Sequence, residues 1–247
     1  MPSIITLLTD FGTRDSYVGE VRAVLASQAH PASLIDITHE VPPGDVRAAQ
    51  YLFSRVWHRF PRGTVHFVVV DPGVGTDRRA LAAEATGQFF VAPDNGLLSS
   101  LPATTRFVAM PVAPGAAPTF HARDVFAPAA AQLANGTALT HLGQSISDPQ
   151  RNALPEPHPD GAATVGEVLY IDRFGTLITN IPGALVEPGV RLRVGGTEVG
   201  TLRRTFGDVE RGQLVAFIGS GGTVEVAARD GSAARLLGVG VGVEVRA

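Results

Sequence analysis

The feature that most constrains the fold is a change of pattern at LPEPHPDGAA, residues 154–163. A polar segment this rich in proline cannot continue a helix or a central strand, and it reads as a linker. Upstream of it, continuous apolar runs at 4–8, 33–37, 65–70, 88–92 and 106–110 predict strands. Helical apolar spacing at 17–28, 45–59 and 124–134 predicts helices between them, with Gly136 suited to the cap of the last. Such alternation implies an α/β domain, a mostly parallel sheet with helices on both faces. Downstream the helical spacing stops. Short runs at 164–171, 177–180, 191–194, 198–202, 213–218, 223–227 and 241–246, separated by glycine turns, predict a small all-β barrel or sandwich with one short helix at 232–237.

Composition excludes several classes of function. A hydrophobic fraction of 45% and a charged fraction of 17% describe a globular chain with a sizeable core. The net charge of −3, with both signs interspersed, gives no nucleic-acid footprint. No apolar stretch approaches the roughly 20 residues of a spanning helix, so no membrane partner is expected. The opening MPSIITLLTDFG has no basic residue before its apolar run and reads as a first strand rather than a signal segment. Cysteine is absent, which removes disulfides and thiolate chemistry and is compatible with the cytoplasm. All 20 basic residues are arginine, so Schiff-base lysines and the P-loop lysine are excluded as well.

Ligands bind open α/β sheets beyond the carboxyl ends of the strands. Three acidic segments are expected there and should converge on one crevice: Asp10 in TDFG, Asp71 in DPGVG, and Asp94 in PDNG. The stretch VVVDPGVGTDRRA adds an arginine, Arg78, seven positions after Asp71. A strand end followed by a turn and a surface ion pair would account for that pattern too. A phosphate cradle is disfavoured, because the GVG turn lacks a third glycine and a carboxylate precedes it. Carboxylates at strand ends suit ribose hydroxyls or a cation. Asp36, His39 and Glu40 could ligate a metal, but Val-Pro-Pro follows and no second histidine stands at helical spacing, so His39 reads as structural. His30, His58, His66, His141 and His158 lack acidic neighbours that would give them a role, whereas His121 sits in TFHARDVFAP just before an expected helix start at Asp124.

Eight motifs then occur in order along nearly the whole chain: LLTDFG, DSYVGE, IDITHEVPPGD, VVVDPGVGTDRR, APDNGLL, TFHARDVFAP, YIDRFGTLITNI and the GSGG…E…ARDGSA tail. Together they resemble the S-adenosyl-L-methionine hydrolase family, also called S-adenosyl-L-methionine hydroxide adenosyltransferases, which is related to fluorinase and chlorinase. The resemblance implies an α/β domain over 1–153, a linker over 154–163 and a β-barrel-like domain over 164–247. It also implies a homotrimer whose active sites lie between subunits. The reaction it implies is S-adenosyl-L-methionine plus water giving adenosine and L-methionine, without metal or cofactor. The family's catalytic set falls on Asp71, Arg78 and His121. By the same resemblance Asp10 binds the ribose diol, and Asp15 and Ser16 lie near the methionine end. Asp172 pairs with the methionine ammonium, Ser220 and Glu225 complete the C-terminal half, and backbone near Ala228 reads adenine.

Two departures from the family pattern stand out. Thr176 occupies the position of a usual asparagine, with Asn180 nearby, and Gly221 replaces the arginine of fluorinases. Against a halogenase reading, Asp71 stands where those enzymes carry a tyrosine beside the halide, and Ala122 where fluorinase places a serine. A carboxylate beside a halide repels it. A binding module that holds the same ligand without turnover is the remaining alternative.

Overall fold

The computed structural model describes residues 3–29 and 31–247, so His30 lies outside the described residues. The chain forms two compact units, Met1–Ala153 and Leu154–Ala247. The first contains strands β1 (Ser3–Thr9), β2 (Ala32–Thr38), β3 (Val65–Val69), β4 (Ala80–Ala85), β5 (Gln88–Pro93), β6 (Arg106–Met110) and β7 (Gln144–Ile146). Its helices are α1 (Tyr17–Gln28), α2 (Val46–Ser54) and α3 (Ala127–Ala134), the last entered through a π-helical turn at Ala122–Phe126.

The sheet order is β2-β1-β3-β5-β4-β6-β7. Pairings β1–β2, β1–β3 and β3–β5 are parallel, whereas β5–β4, β4–β6 and β6–β7 are antiparallel. The sheet is therefore mixed, and the expectation of a mostly parallel one is corrected. The cause is β4, ALAAEA, whose alanines lack the β-branched signature of a strand. It folds back on β5 through Thr86 and Gly87, both at positive φ, as a two-residue hairpin turn requires.

Helices do cover both faces. Val65, Phe67 and Val69 of β3 pack with Ile5 and Leu7 of β1 against Val21 and Leu25 of α1 and the alanines of α3. The other face of β3 presents His66, which meets the Phe53 ring of α2 and stacks on Phe90 of β5. Every residue of β3 is buried, so this strand runs through the middle of the core and carries its C-terminal end to a fixed place. Side chains such as Phe53 and Phe67 contribute about 1.5–3 kcal/mol each by leaving water. The helix expected over 45–59 stops at Ser54, and a 3-10 turn at Trp57–Arg59 continues it. Apolar spacing of three and four residues over so short a run does not separate the two geometries.

The second unit holds β8 (His158–Asp160), β9 (Ala163–Ile171), β10 (Leu177–Pro182), β11 (Arg191–Val194), β12 (Thr197–Arg203), β13 (Leu214–Ile218), β14 (Thr223–Ala228) and β15 (Glu244–Arg246), with α4 at Ala233–Leu237. Seven strands close in the order β9-β10-β14-β13-β12-β11-β15 and back to β9, which removes free edges from the ring. Val168, Leu177, Leu192, Val224, Val226 and Val245 fill the interior. The eighth strand, β8, lies inside the segment expected to be a linker and pairs with β9. Among the described residues, no helix is long and apolar enough to cross a membrane.

Candidate active site

The buried run of β3 ends at Val69, and two residues later the chain presents Asp71. The loop then turns through Pro72–Gly75 and returns as β4. Gly75 has φ +80°, and a side chain there would meet the Pro118 carbonyl at 2.9 Å, so glycine is required. The turn brings Arg78 back onto Asp71. Arg78 Nε donates to Asp71 Oδ1 at 2.9 Å, and its Nη2 donates to Oδ2. The same Nη2 lies 3.0 Å from His121 Nδ1. The guanidinium also sits over the Phe126 ring, 5.2 Å from its centroid. Side-chain exposure is only 9% for Arg78 and 7% for Asp71, so this is not a solvated surface pair.

His121 immediately precedes the π-helical turn, which begins at Ala122, two residues before the helix start expected at Asp124. Asp124 instead accepts the Ala117 N–H and pairs with Arg123. Burial, and then the charge of Arg78, push the His121 imidazole below its ordinary pKa, which keeps it neutral at neutral pH. A neutral ring whose Nδ1 accepts from Arg78 carries its hydrogen on Nε2.

Asp10, Asp71 and His121 line one cavity of about 310 Å³, together with Phe11, Tyr17, Phe120 and Ala122. Asp10 accepts the Gly44 N–H at 2.7 Å. Burial raises the Asp10 pKa, against the lowering effect of that bond. Phe11, Tyr17 and Phe120 form a mutually packed aromatic group with centroids 5.3–6.1 Å apart. Sequence reasoning passed over these rings. Their signal was position, since Phe11 and Phe120 each adjoin a proposed site residue.

The third acidic segment does not join the crevice, which corrects the expected convergence. Asp94 is buried at the end of β5, where it binds Arg79 and the Gln150 N–H. Asp15 and Ser16 are exposed on the loop before α1, and the Ser16 hydroxyl donates to Glu20. His39 is structural in its contacts: its Nδ1 meets the Thr9 hydroxyl at 2.7 Å, and its carbonyl accepts the Gly12 N–H. Among the described residues, no group of three or more histidine, aspartate or glutamate side chains is disposed to hold a metal ion.

The remaining candidates belong to the second unit. Asp172 Oδ1 accepts the N–H groups of Phe174 and Thr176, at 2.9 and 2.8 Å, and so shapes its own loop. Thr176 is buried. Asn180 is committed to the barrel: its amide accepts from Glu167 N–H and donates to the Pro155 carbonyl. Ser220 is exposed in the turn before β14, Glu225 is half-buried on β14, and Ala228 is buried at the end of that strand.

Residues 5–143 match the SAM hydroxide adenosyltransferase N-terminal domain, and residues 166–246 match the SAM hydroxide adenosyltransferase C-terminal domain. The (R)-S-adenosyl-L-methionine hydrolase of Thermus thermophilus is 43% identical over 257 aligned residues, covering 98% of each chain. A solved structure of an uncharacterized conserved protein from Thermotoga maritima has a TM-score of 0.89 at 36% identity and also covers 98% of both chains. The fluorinase of Nocardia brasiliensis is more distant, 27% identical over 98% of this chain and 96% of its own. With both halves matched and the similarity running nearly end to end, the chain belongs to the SAM hydroxide adenosyltransferase family.

Proposed function

We propose that this chain hydrolyses S-adenosyl-L-methionine to adenosine and L-methionine by attack of water on the ribose 5′ carbon. One observation carries the reading: Asp71 and His121 line one cavity with Asp10, and Arg78 hydrogen-bonds to both of them from behind that wall. The leaving group is a neutral thioether departing from a sulfonium, so the chemistry needs no general acid. Water oxygen bonds to the 5′ carbon as the carbon–sulfur bond breaks, and that electron pair stays on sulfur.

The water's proton needs an acceptor. His121 Nδ1 is taken by Arg78 and its Nε2 carries hydrogen, so the ring orients the water as a donor. Asp71 is then the acceptor that activates the water, and the proton passes from it to solvent. Arg78 keeps the carboxylate aimed and offsets negative charge that develops on oxygen. Holding the water in line supplies a proximity contribution, and excluding bulk water from the site favours annihilation of opposite charges.

Asp10 suits the ribose diol, because its carboxylate, held by the Gly44 N–H and its own backbone N–H, lines the cavity with acceptor oxygens for hydroxyls. The aromatic group suits a sulfonium or an adenine ring. A halide would face Asp10 and Asp71 on the same wall, which favours water as the nucleophile. From the family resemblance we assign the methionine end to Asp15, Ser16 and Asp172, and the adenosine edge to Thr176, Ser220, Glu225 and backbone near Ala228. These second-unit residues are delivered by a neighbouring copy in a homotrimer. The reading requires no metal or cofactor, a cytoplasmic setting suits it, and we take the R sulfonium epimer named for the relatives as the substrate.

The test is chromatography of products from each epimer, supplied separately and without halide. Adenosine and methionine should form. Asp71→Ala should lower kcat by about 10²–10⁴-fold with KM little changed. Tight binding of substrate with no methionine released would instead make the chain a binding module.

A further inference from the structure

The loop that carries Asp71 and Arg78 has little to hold it from within. Its backbone turn bonds are long, 3.3 Å from Val74 N–H to the Asp71 carbonyl and 3.2 Å from Thr76 N–H to the Gly73 carbonyl, and its one short bond, from the Thr76 hydroxyl to that same carbonyl at 2.7 Å, stays local to the turn. Residues 75–77 are exposed. Yet Nε and Nη2 of Arg78 must both meet the Asp71 carboxylate, so the two ends of the loop need a common anchor.

Two consecutive residues after β5 supply it. The parallel β3–β5 ladder ends at Phe67 and Val91, which leaves the Val70 carbonyl beyond its reach. Asn95 Nδ2 donates to that carbonyl at 2.9 Å, on the peptide that leads directly into Asp71. At the other end, Asp94 N–H donates to the Arg79 carbonyl at 2.9 Å, and the Asp94 carboxylate takes Arg79 Nε at 2.7 Å. The Arg79 carbonyl also accepts Arg78 Nη1 at 3.4 Å, so what fixes Arg79 fixes the guanidinium beside it. The anchor is itself held. Gln150 N–H donates to Asp94 Oδ1 at 2.7 Å, and Asn152 Nδ2 donates to the Asn95 carbonyl at 2.9 Å.

We propose that Asp94 and Asn95 are positioning residues that set the register of Asp71 against Arg78 by gripping both ends of their loop. The role in turnover rests on the hydrolytic reading above; the geometric role does not. Neither residue lines the first-unit cavity.

The experiment compares Asp94→Ala, Asn95→Ala, the isosteric Asp94→Asn and the exposed control Glu187→Ala, which is remote in sequence from the loop and its anchor. Asp94→Ala and Asn95→Ala should each lower kcat by about 10–100-fold, while KM and adenosine affinity stay within about threefold of wild type. Asp94→Asn keeps one acceptor oxygen but sets its NH2 against the second donor, so it should recover part of the loss, and Glu187→Ala should leave kcat unchanged. Unaltered kcat in folded Asp94→Ala and Asn95→Ala overturns the proposal. So does an equal loss of adenosine affinity that Asp94→Asn fails to recover, since that pattern describes general loosening. A second measurement is independent of catalysis. The hydrogen-bonded Arg78 Nε–H resonance, identified by its disappearance in Arg78→Lys, should broaden in Asp94→Ala and Asn95→Ala but not in Glu187→Ala. A sharp resonance in all of them overturns the anchor even if wild type releases no adenosine. A wild type that is inactive on both epimers while the resonance broadens as described removes the hydrolytic reading alone.

Discussion

His66, in the middle of β3, has no exposure to solvent. Its imidazole is fully used as a neutral ring. The Gln88 amide is oriented by donating to the Phe60 carbonyl, so its Oε1 accepts from His66 Nε2 at 2.9 Å. Nδ1 accepts the Thr6 hydroxyl at 2.7 Å. Burial pushes the pKa down to about 4. A histidine depressed below its unfolded value of about 6.5 contributes no penalty above that pH, and stability falls as pH drops from there to about 4. The window amounts to about 3 kcal/mol. Urea midpoints measured between pH 7 and pH 4 should fall more steeply in wild type than in His66→Gln; parallel profiles would show that His66 does not carry the acid sensitivity. At this scale the sequence was informative for carboxylates and ambiguous for histidines. Asp71 and Arg78 drew attention by a spacing that returns a loop on itself, and TFHARDVFAP set His121 apart from His66, but nothing local separates a core ring from a cavity ring by its partners. That separation depends on which face of a strand or which end of a helix each occupies.

At the scale of elements, the hairpin from β4 to β5 was the least legible part of the first unit. An alanine-rich strand offers no strong propensity, and a Thr-Gly turn is not the usual Asn-Gly signal. Thr86 holds φ +51°, a left-handed conformation that costs a β-branched residue about 1–2 kcal/mol. Its hydroxyl donates to the Ala85 carbonyl at 2.8 Å, which offsets part of that strain. Thr86→Asn should therefore stabilise the first unit by about 1 kcal/mol, raising its melting temperature by roughly 2–4 °C. No rise, or a fall, in calorimetry would mean that the hydroxyl bond outweighs the backbone term. The strands of the second unit were easier to read, because each is bounded by glycine turns and closure needs only neighbours in sequence or space. The expected linker failed for a related reason: proline is tolerated in a short strand at a sheet edge, and β8 is one.

For the whole molecule, composition bounded the fold class and the order of motifs carried the rest, with the homotrimer coming only as what the family resemblance implies. The proposed homotrimer places the first-unit residues of one copy with second-unit residues of the next, and this has a quantitative consequence. On that proposal Asp71→Ala disables the water-activating half of every site, and Asp172→Ala disables the methionine-binding half. If the two variants are unfolded together and refolded as mixed assemblies, a site works only where an intact first unit meets an intact second unit from a neighbour. With equal and random mixing each condition holds half the time, so a head-to-tail ring recovers about a quarter of wild-type activity from two nearly inactive parents. A site completed within a single copy recovers nothing, because each copy carries one damaged half. Mixing the folded variants without unfolding is the control, and slow or absent recovery there shows that exchange of subunits, not residual activity, produced the gain. Activity that stays at the parental level after co-refolding, with mixed assemblies verified by mass, would place both halves of the site on one chain and end the shared-site proposal.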